Sequence, residues 1–283
     1  MTDPPNRLLF DRVLSLARAD ARIRAVILNG SRANPAAKPD RYQDWDLVVL
    51  VTEIAPFIRE RSWLDALGAR ALVQTPDDMG DKVWPGQGRF AYLIQFLDGT
   101  RLDLTLLAAA EYLAGHIDSL SVVVLDKDGL LPPLPPPSDA DHRPRPFSAR
   151  GFAACCNEFW WVSVYVAKGL LRDELPYARL HLEGILRPEL HRMLDAWIGA
   201  RTGGARGAGK MGKALATALD AADWALYLAT CAGPSQEAHW HALDACCALF
   251  AKAARAVAAA GRLRYPDEEE AGARVVIAGW RSA

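Results

Sequence analysis

Residues 28–51 read LNGSRANPAAKPDRYQDWDLVVLV. An apolar run stops at Asn29-Gly30, and a Gly30-Ser31 turn follows. An irregular loop then delivers Asp44-Trp45-Asp46 to a continuous β-branched run ending at Val51. A run of that kind fits a strand buried on both faces. Side chains two apart on a strand point the same way, about 6.5–7 Å apart along it. Asp44 and Asp46 therefore converge on one face, and Trp45 points to the other.

The sequence on either side extends the sheet. ARIRAVILNG (residues 21–30) supplies the strand before the turn, and RALVQT (residues 70–75) is a strand stopped by Pro76. RFAYLIQFLDGTRLDLTLL (residues 89–107) is two strand patterns joined by Asp98-Gly99, a hairpin signal. SVVVLDKDG (residues 121–129) is one more strand, and RLLFDRVLSLARAD and PFIRERSWLDALGA are helical patterns. The proline-rich LPPLPPPSDADHRPRP (residues 131–146) is a stiff extended strap.

Beyond the strap the period turns helical. GFAACCNEFWWVSVYVAKGLL places Phe152, Phe159, Val162, Val166 and Leu170 on one face. Pro188 opens a further helical turn, as proline suits a first helical position. GGARGAGK is expected to be a flexible loop. MGKALATALDAADWALYLAT and SQEAHWHALDACCALFAKAARAVAAA are expected as alanine-rich helices, the second capped by Ser235. The fold class is therefore α+β. A domain with a mixed sheet and flanking helices spans 1–130, a linker 131–147, a helical bundle 148–265 and a loose, acid-rich tail 266–283.

Composition excludes several classes. At 283 residues with 51% hydrophobic and 24% charged content, the chain is expected to be a soluble globular protein. A net charge of −1 supplies no whole-molecule field for nucleic acid or anionic membrane. No run of about 20 apolar residues could span a bilayer, and MTDPPNRLLFDRVL lacks the pattern of a secretory leader. Cys155, Cys156, Cys231, Cys246 and Cys247 form neither a disulfide framework nor a C-x-x-C metal site. They read as small buried hydrophobes of a cytoplasmic protein, expected as a monomer.

Three elements carry chemistry. Two carboxylates at the spacing of Asp44 and Asp46 can grip hard divalent cations through oxygen, although the same D-x-D at a strand start also fits a solvated turn. A glycine after a strand lets backbone approach a phosphate closely. The amides of Gly30-Ser31 and the Ser31 hydroxyl can hold phosphate oxygens, with Arg32 as a charge-assisted donor. Asp103 is the odd charge among Leu102, Leu104 and Leu106. Its burial without a partner would cost several kcal/mol, so it needs a cation, a hydrogen-bond network or water. Phosphate binding and cation binding together point to nucleotidyl transfer.

At this point a resemblance becomes plain. A glycine–serine turn, a D-x-D strand and a third acid on a later strand resemble the nucleotidyltransferase superfamily of the polymerase-β type. LNGSRANP, DRYQDWDLVVLV, FLDGTRLDLTLL, VVLDKDGLLP, CNEFWWVSVYVAKGLLRDELPYA and GKMGKAL are similar to the streptomycin adenylyltransferase family, the aminoglycoside 6-adenylyltransferases. The similarity runs from about Leu8 to Pro266. It implies transfer of AMP from ATP to the 6-hydroxyl of streptomycin with release of pyrophosphate. By motif, Gly30 and Ser31 would hold terminal phosphates and Asp44 and Asp46 would ligate magnesium, two ions in all. Asp103 would either share a metal or take the proton from the attacking hydroxyl. A related enzyme acting on another alcohol, or a catalytically silent nucleotide sensor, would share this machinery.

For the helical half, Glu158, Trp161, Tyr165, Lys168 and Arg172 fall on one helix side. Acids and ring faces suit a polycationic sugar, so Glu158, Trp161, Tyr165, Asp173 and Glu183 are the candidate acceptor contacts. Gly204 to Met211 mimics a phosphate-binding P-loop but has Met211 where Ser or Thr is required, and it follows a helix rather than a strand. It instead resembles the family's glycine–lysine loop, in which Lys210 and Lys213 would reach nucleotide phosphates. After Lys213 the chain departs from the family's lysine- and tyrosine-rich pattern.

Overall fold

The computed structural model describes residues 7–282. Residues 1–6, the first part of the MTDPPNRLLFDRVL segment, and residue 283 lie outside the described residues. The chain divides into two compact units, one ending at Asp141 and the other beginning at His142.

The first unit is built on a sheet of six strands among the described residues: β1 (Ile23–Asn29), β2 (Trp45–Val51), β3 (Arg70–Gln74), β4 (Phe90–Phe96), β5 (Arg101–Ala108) and β6 (Ser121–Asp126). Their order is β3-β4-β5-β2-β1-β6, with β2 and β5 parallel and the other pairs antiparallel. Gly99 turns the β4–β5 hairpin at φ +85°, a backbone only glycine adopts without strain. The central strands alternate: Trp45, Leu47 and Val49 on β2 and Leu102, Leu104 and Leu106 on β5 are buried against helix α1 (Arg7–Ala19). Asp46 and Asp103 thereby fall on the opposite face. The expected helix over 56–69 is broken into α2 (Ala55–Arg59) and a 3-10 turn, Ser62–Leu67, because Glu60 adopts an extended backbone. α3 (Ala109–Ala114) follows β5.

The proline strap does not run free from its first residue. Leu131 and Pro132 to Pro137 line a groove along β6, and the Asp126 carboxylate accepts the amides of Leu130 and Leu131 at 3.1 and 2.9 Å.

The second unit is helical: α4 (Ala149–Leu171), α5 (Leu175–His181), a π-helical turn (Leu182–Leu186), α6 (Arg187–Arg201), α7 (Leu215–Ala218), α8 (Ala221–Ala229), α9 (Gln236–Gly261) and α10 (Asp267–Ser282). Its core holds Phe159 stacked on Phe250 at 3.7 Å. The long helix expected over 211–230 is interrupted. Leu219 is extended, and Asp220 caps α8 by accepting the Asp223 amide at 2.9 Å. Ser235 caps α9 as expected, accepting the Ala238 amide at 3.1 Å. Ser235→Ala is expected to cost about 1 kcal/mol, readable as a shift in urea midpoint with unchanged slope.

The segment expected as a loose tail is helix α10. Its acids Asp267 to Glu270 fill the first turn, where the helix dipole favours negative charge. Ala273 and Ile277, one turn apart, are buried in the helical core. Glu270 is 7% exposed and is held by Arg255, Arg274 and the Tyr265 hydroxyl.

All five cysteines are free thiols, and four are buried as expected, whereas Cys231 is exposed beyond the end of α8. Burial pushes the Cys156 and Cys247 thiols up to about 12 and raises those of Cys155 and Cys246 further. At pH 8 a disulfide reagent is therefore expected to titrate one thiol rapidly. The other four should react only on addition of denaturant, since the thiolate is the reactive form. Loss of the fast phase in Cys231→Ser checks the assignment.

Candidate active site

Gly30 sits at φ +70° and starts a 3-10 turn, Gly30–Arg32, directly after β1. A Cβ at this position would lie 2.3 Å from Oδ2 and 2.9 Å from Cγ of Asp46. No side chain fits there, so the backbone of the turn lies against the Asp46 carboxylate. On the other side of β2, Asp46 stands directly opposite Asp103 in the parallel β2–β5 register. The turn and two of the three expected acids are thus brought together by strand register alone.

Asp44 precedes β2 and is held by its neighbours. Arg32 donates from Nε to the Asp44 carbonyl at 3.0 Å and from Nη2 to the Gln43 carbonyl at 2.7 Å. Its guanidinium lies 4.0 Å from the centre of the Trp45 ring, and Trp45 stacks on Phe10 of α1 at 4.5 Å. Burial pulls the Arg32 pKa below its ordinary value, against the nearby carboxylates that raise it. Arg32, expected as a phosphate donor, directs these bonds at the loop that carries Asp44.

Arg101 is the residue missed from the sequence. It precedes Asp103 by two positions on β5, so both side chains share one sheet face. Its Nε and Nη2 donate to the two Asp103 oxygens at 2.8 and 3.0 Å, and Nε stands 3.6 Å from Asp44 Oδ2. The Asp103 hydrogen bonds hold Arg101 above its ordinary pKa. The signal was present in RLDLTLL as a second charge in the same alternating register. Among the described residues no three metal-type side chains close into a cluster; a guanidinium stands between two of the three acids. The acids nevertheless fit a hard divalent cation. Their donors are carboxylate oxygens, a positive group already bridges Asp44 and Asp103, and the Asp46 carboxylate lies against the Gly30 turn.

In the helical unit the expected acceptor residues divide. Trp161 donates from Nε1 to the Tyr165 hydroxyl at 2.9 Å, and Tyr165 packs edge-on against His181 at 5.7 Å. Both residues line a cavity of about 450 Å³ between α4 and α10, together with Trp160, Lys168, Glu269 and Val276. The carboxylate on that wall is Glu269, which accepts from Asn157 at 3.1 Å. It was hidden in the acidic run assigned to the tail. Glu158, exposed on α4, does not line this cavity. Asp173 follows α4 at φ +59°, and Glu183 pairs with Arg187 at 2.9 Å from the π-helical turn.

The glycine–lysine loop is tied down rather than loose. Ala208 donates its amide to Asp195 Oδ1 of α6 at 2.7 Å, and a Cβ on Gly207 would meet the same oxygen at 2.5 Å. Lys210 and Lys213 are exposed, with Met211 between them at φ +55°.

Known proteins resemble the chain over nearly its whole length. An aminoglycoside 6-adenylyltransferase of Bacillus subtilis is 38% identical over 267 residues, covering 93% of each chain. Those of Campylobacter jejuni and Staphylococcus aureus are 36% and 33% identical, covering 95% and 93% of this chain and 93% and 94% of their own. A crystal structure of an aminoglycoside 6-adenyltransferase from Bacillus subtilis superposes with a TM-score of 0.50 at 33% identity, covering 97% of this chain and 98% of that one. The streptomycin adenylyltransferase profile matches residues 6–276, and the chain belongs to that family of nucleotidyltransferases.

Proposed function

We propose that this protein transfers the AMP group of ATP to a hydroxyl of an aminoglycoside, with the 6-hydroxyl of streptomycin as acceptor. The observation that carries this reading is the junction of Gly30, Asp46 and Asp103. A side-chain-free turn lies on one carboxylate, and that carboxylate faces a second across two parallel strands. The near-full-length similarity to adenylyltransferases supports the choice of group transferred.

In this reading Asp44, Asp46 and Asp103 hold magnesium, two ions by the family resemblance. Bound there, the metal would offset charge on the triphosphate and lower the pKa of an attacking oxygen. Gly30 and Ser31 receive the terminal phosphates. Arg32 fixes the Asp44 loop through its two carbonyl bonds, and Lys210 and Lys213 contact phosphate. The acceptor oxygen bonds to the α-phosphorus as the bridge to the β-phosphate breaks. Pyrophosphate departs, and the hydroxyl proton passes to a carboxylate or to water. Acceptor recognition falls to the helical unit, through Glu158, Trp161, Tyr165, Asp173 and Glu183, where carboxylates meet cationic groups and rings meet sugar faces.

Pyrophosphate release with ATP, magnesium and a panel of aminoglycosides tests this directly. Release with streptomycin, with the mass gain of one adenylyl group, is the expected result. Release with another alcohol alone would reassign the acceptor, and ATP binding without release across the panel would overturn the transferase reading. Because Asp103 faces Asp46 in register, we assign it to the cation site. Asp103→Asn should then lose both manganese binding and turnover. Retained manganese binding with lost turnover would make it the base instead.

A further inference from the structure

Two residues one turn apart on α6 grip the glycine–lysine loop. Asp195 receives the Ala208 amide, and Gly207 presses on its carboxylate. His191 lies against Gly212: a Cβ added there, at φ +80°, would stand 3.1 Å from His191 Cε1. The two exposed lysines therefore leave a segment bonded to α6 at Ala208 and packed beside it at Gly212.

His191 is itself held by a half-buried polar chain. Its Nε2 lies 2.9 Å from the Tyr227 hydroxyl of α8. Arg187, whose side chain is 11% exposed, donates to that hydroxyl at 3.3 Å and to Thr230 Oγ1, and pairs with Glu183 at 2.9 Å. The Tyr227 oxygen thus accepts from Arg187 and also shares a hydrogen bond with His191 Nε2, whose direction follows the tautomer of the ring. Burial first, and then the Arg187 charge, pull His191 below its ordinary pKa, and Glu183 opposes them. Trp224 stacks on Tyr227 at 5.3 Å and fixes the ring that aims the hydroxyl.

We propose that His191 is a positioning residue for the nucleotide. Held by Tyr227 and Arg187, it seats Gly212 so that Lys210 and Lys213, the residues proposed to contact nucleotide phosphate, stand in one fixed arrangement. The proposal rests on the adenylyl-transfer reading. It adds α6 and α8 to the parts of the chain that set affinity for ATP.

The test uses the full-length enzyme and the variants His191→Leu, His191→Gln and Tyr227→Phe. Steady-state constants for ATP and streptomycin are measured beside the rate of tryptic cleavage after Lys210 and Lys213. His191→Leu fills the same space without a polar atom. It should raise KM for ATP five- to twentyfold and speed cleavage at the two lysines. KM for streptomycin and kcat should stay within about threefold. Tyr227→Phe should move the same quantities less, and His191→Gln, whose amide can meet the Tyr227 hydroxyl, should restore most of the ATP affinity. Unchanged KM for ATP in folded His191→Leu would overturn the proposal. So would equal rises in both KM values with no rescue by glutamine, which marks a general loss of packing. Failure of the wild-type enzyme to release pyrophosphate with any acceptor would instead remove the transfer reading itself.

Discussion

Asp46→Asn is expected to reduce AMP transfer by at least about a thousandfold while leaving the fold in place. The carboxylate is half-buried, lies against the Gly30 turn and stands opposite Asp103. Replacing one oxygen by an amide keeps the shape but removes the charge that a hard cation requires. Cation stabilisation of a transferring phosphoryl group amounts to several kcal/mol, and about 4 kcal/mol corresponds to roughly a thousandfold in rate. Stability should change little, because the substitution keeps the shape of the side chain and the ion pairs of Arg101 run to Asp103 and Asp44. Asp44→Asn should act in the same direction. Pyrophosphate release, manganese binding by electron paramagnetic resonance and a thermal melt measure the three quantities. Near-normal turnover with lost manganese binding would dissociate the metal from the reaction. Near-normal values of both would place the cation elsewhere.

Arg101 sharpens this expectation. A guanidinium bonded to both Asp103 oxygens and 3.6 Å from Asp44 satisfies much of the charge that a metal would otherwise balance. The acids are thereby stable together in the absence of ligand, and Asp46→Asn leaves both Arg101 contacts in place. A buried carboxylate cluster with no such counter-charge would be costly to the folded state.

The three acids were legible because strand geometry has period two. Asp44 and Asp46 are two apart, and Asp103 alternates with leucines, so each could be assigned to a face without knowing the sheet. Their convergence was not legible. It depends on β2 and β5 running parallel in the register that pairs Asp46 with Asp103, and no local pattern encodes which strands become neighbours. Helix α10 was missed for a different reason. Four consecutive acids look like solvated charge, yet at a helix start they complement the dipole. Only the spacing of Ala273 and Ile277 betrays the buried side. The interrupted helix at Leu219 shows local preference losing to a cap. Alanine-rich sequence favours helix throughout, but Asp220 satisfies the free amides of a new helix start. The fastening of the glycine–lysine loop was invisible in sequence, since its partners Asp195 and His191 lie well before it in the chain.

Gly30→Ala should cut turnover by about a hundredfold, although it removes no functional group. At φ +70° an alanine costs about 1–2 kcal/mol in backbone strain. That strain alone would leave an active enzyme. The larger effect is steric: the new methyl would lie 2.3 Å from Asp46 Oδ2, 2.9 Å from Cγ and 3.3 Å from Cβ. Van der Waals contact needs more than 3.4 Å, so either the turn or the carboxylate must shift by about 1 Å. A displacement of that size at reacting groups can cost about a hundredfold in rate, and here it parts Asp46 from the turn proposed to hold phosphate. Gly129→Ala provides the control. It has a similar φ of +64° and no atom within 4 Å of the added methyl, so it carries the strain without the collision. Gly129→Ala should therefore show the stability cost of the strain alone and keep its turnover, while Gly30→Ala should lose more stability and, alone of the two, about two orders of magnitude in kcat/KM for ATP. Equal turnover in the two variants would mean that the close approach of the Gly30 turn to Asp46 has no part in the reaction.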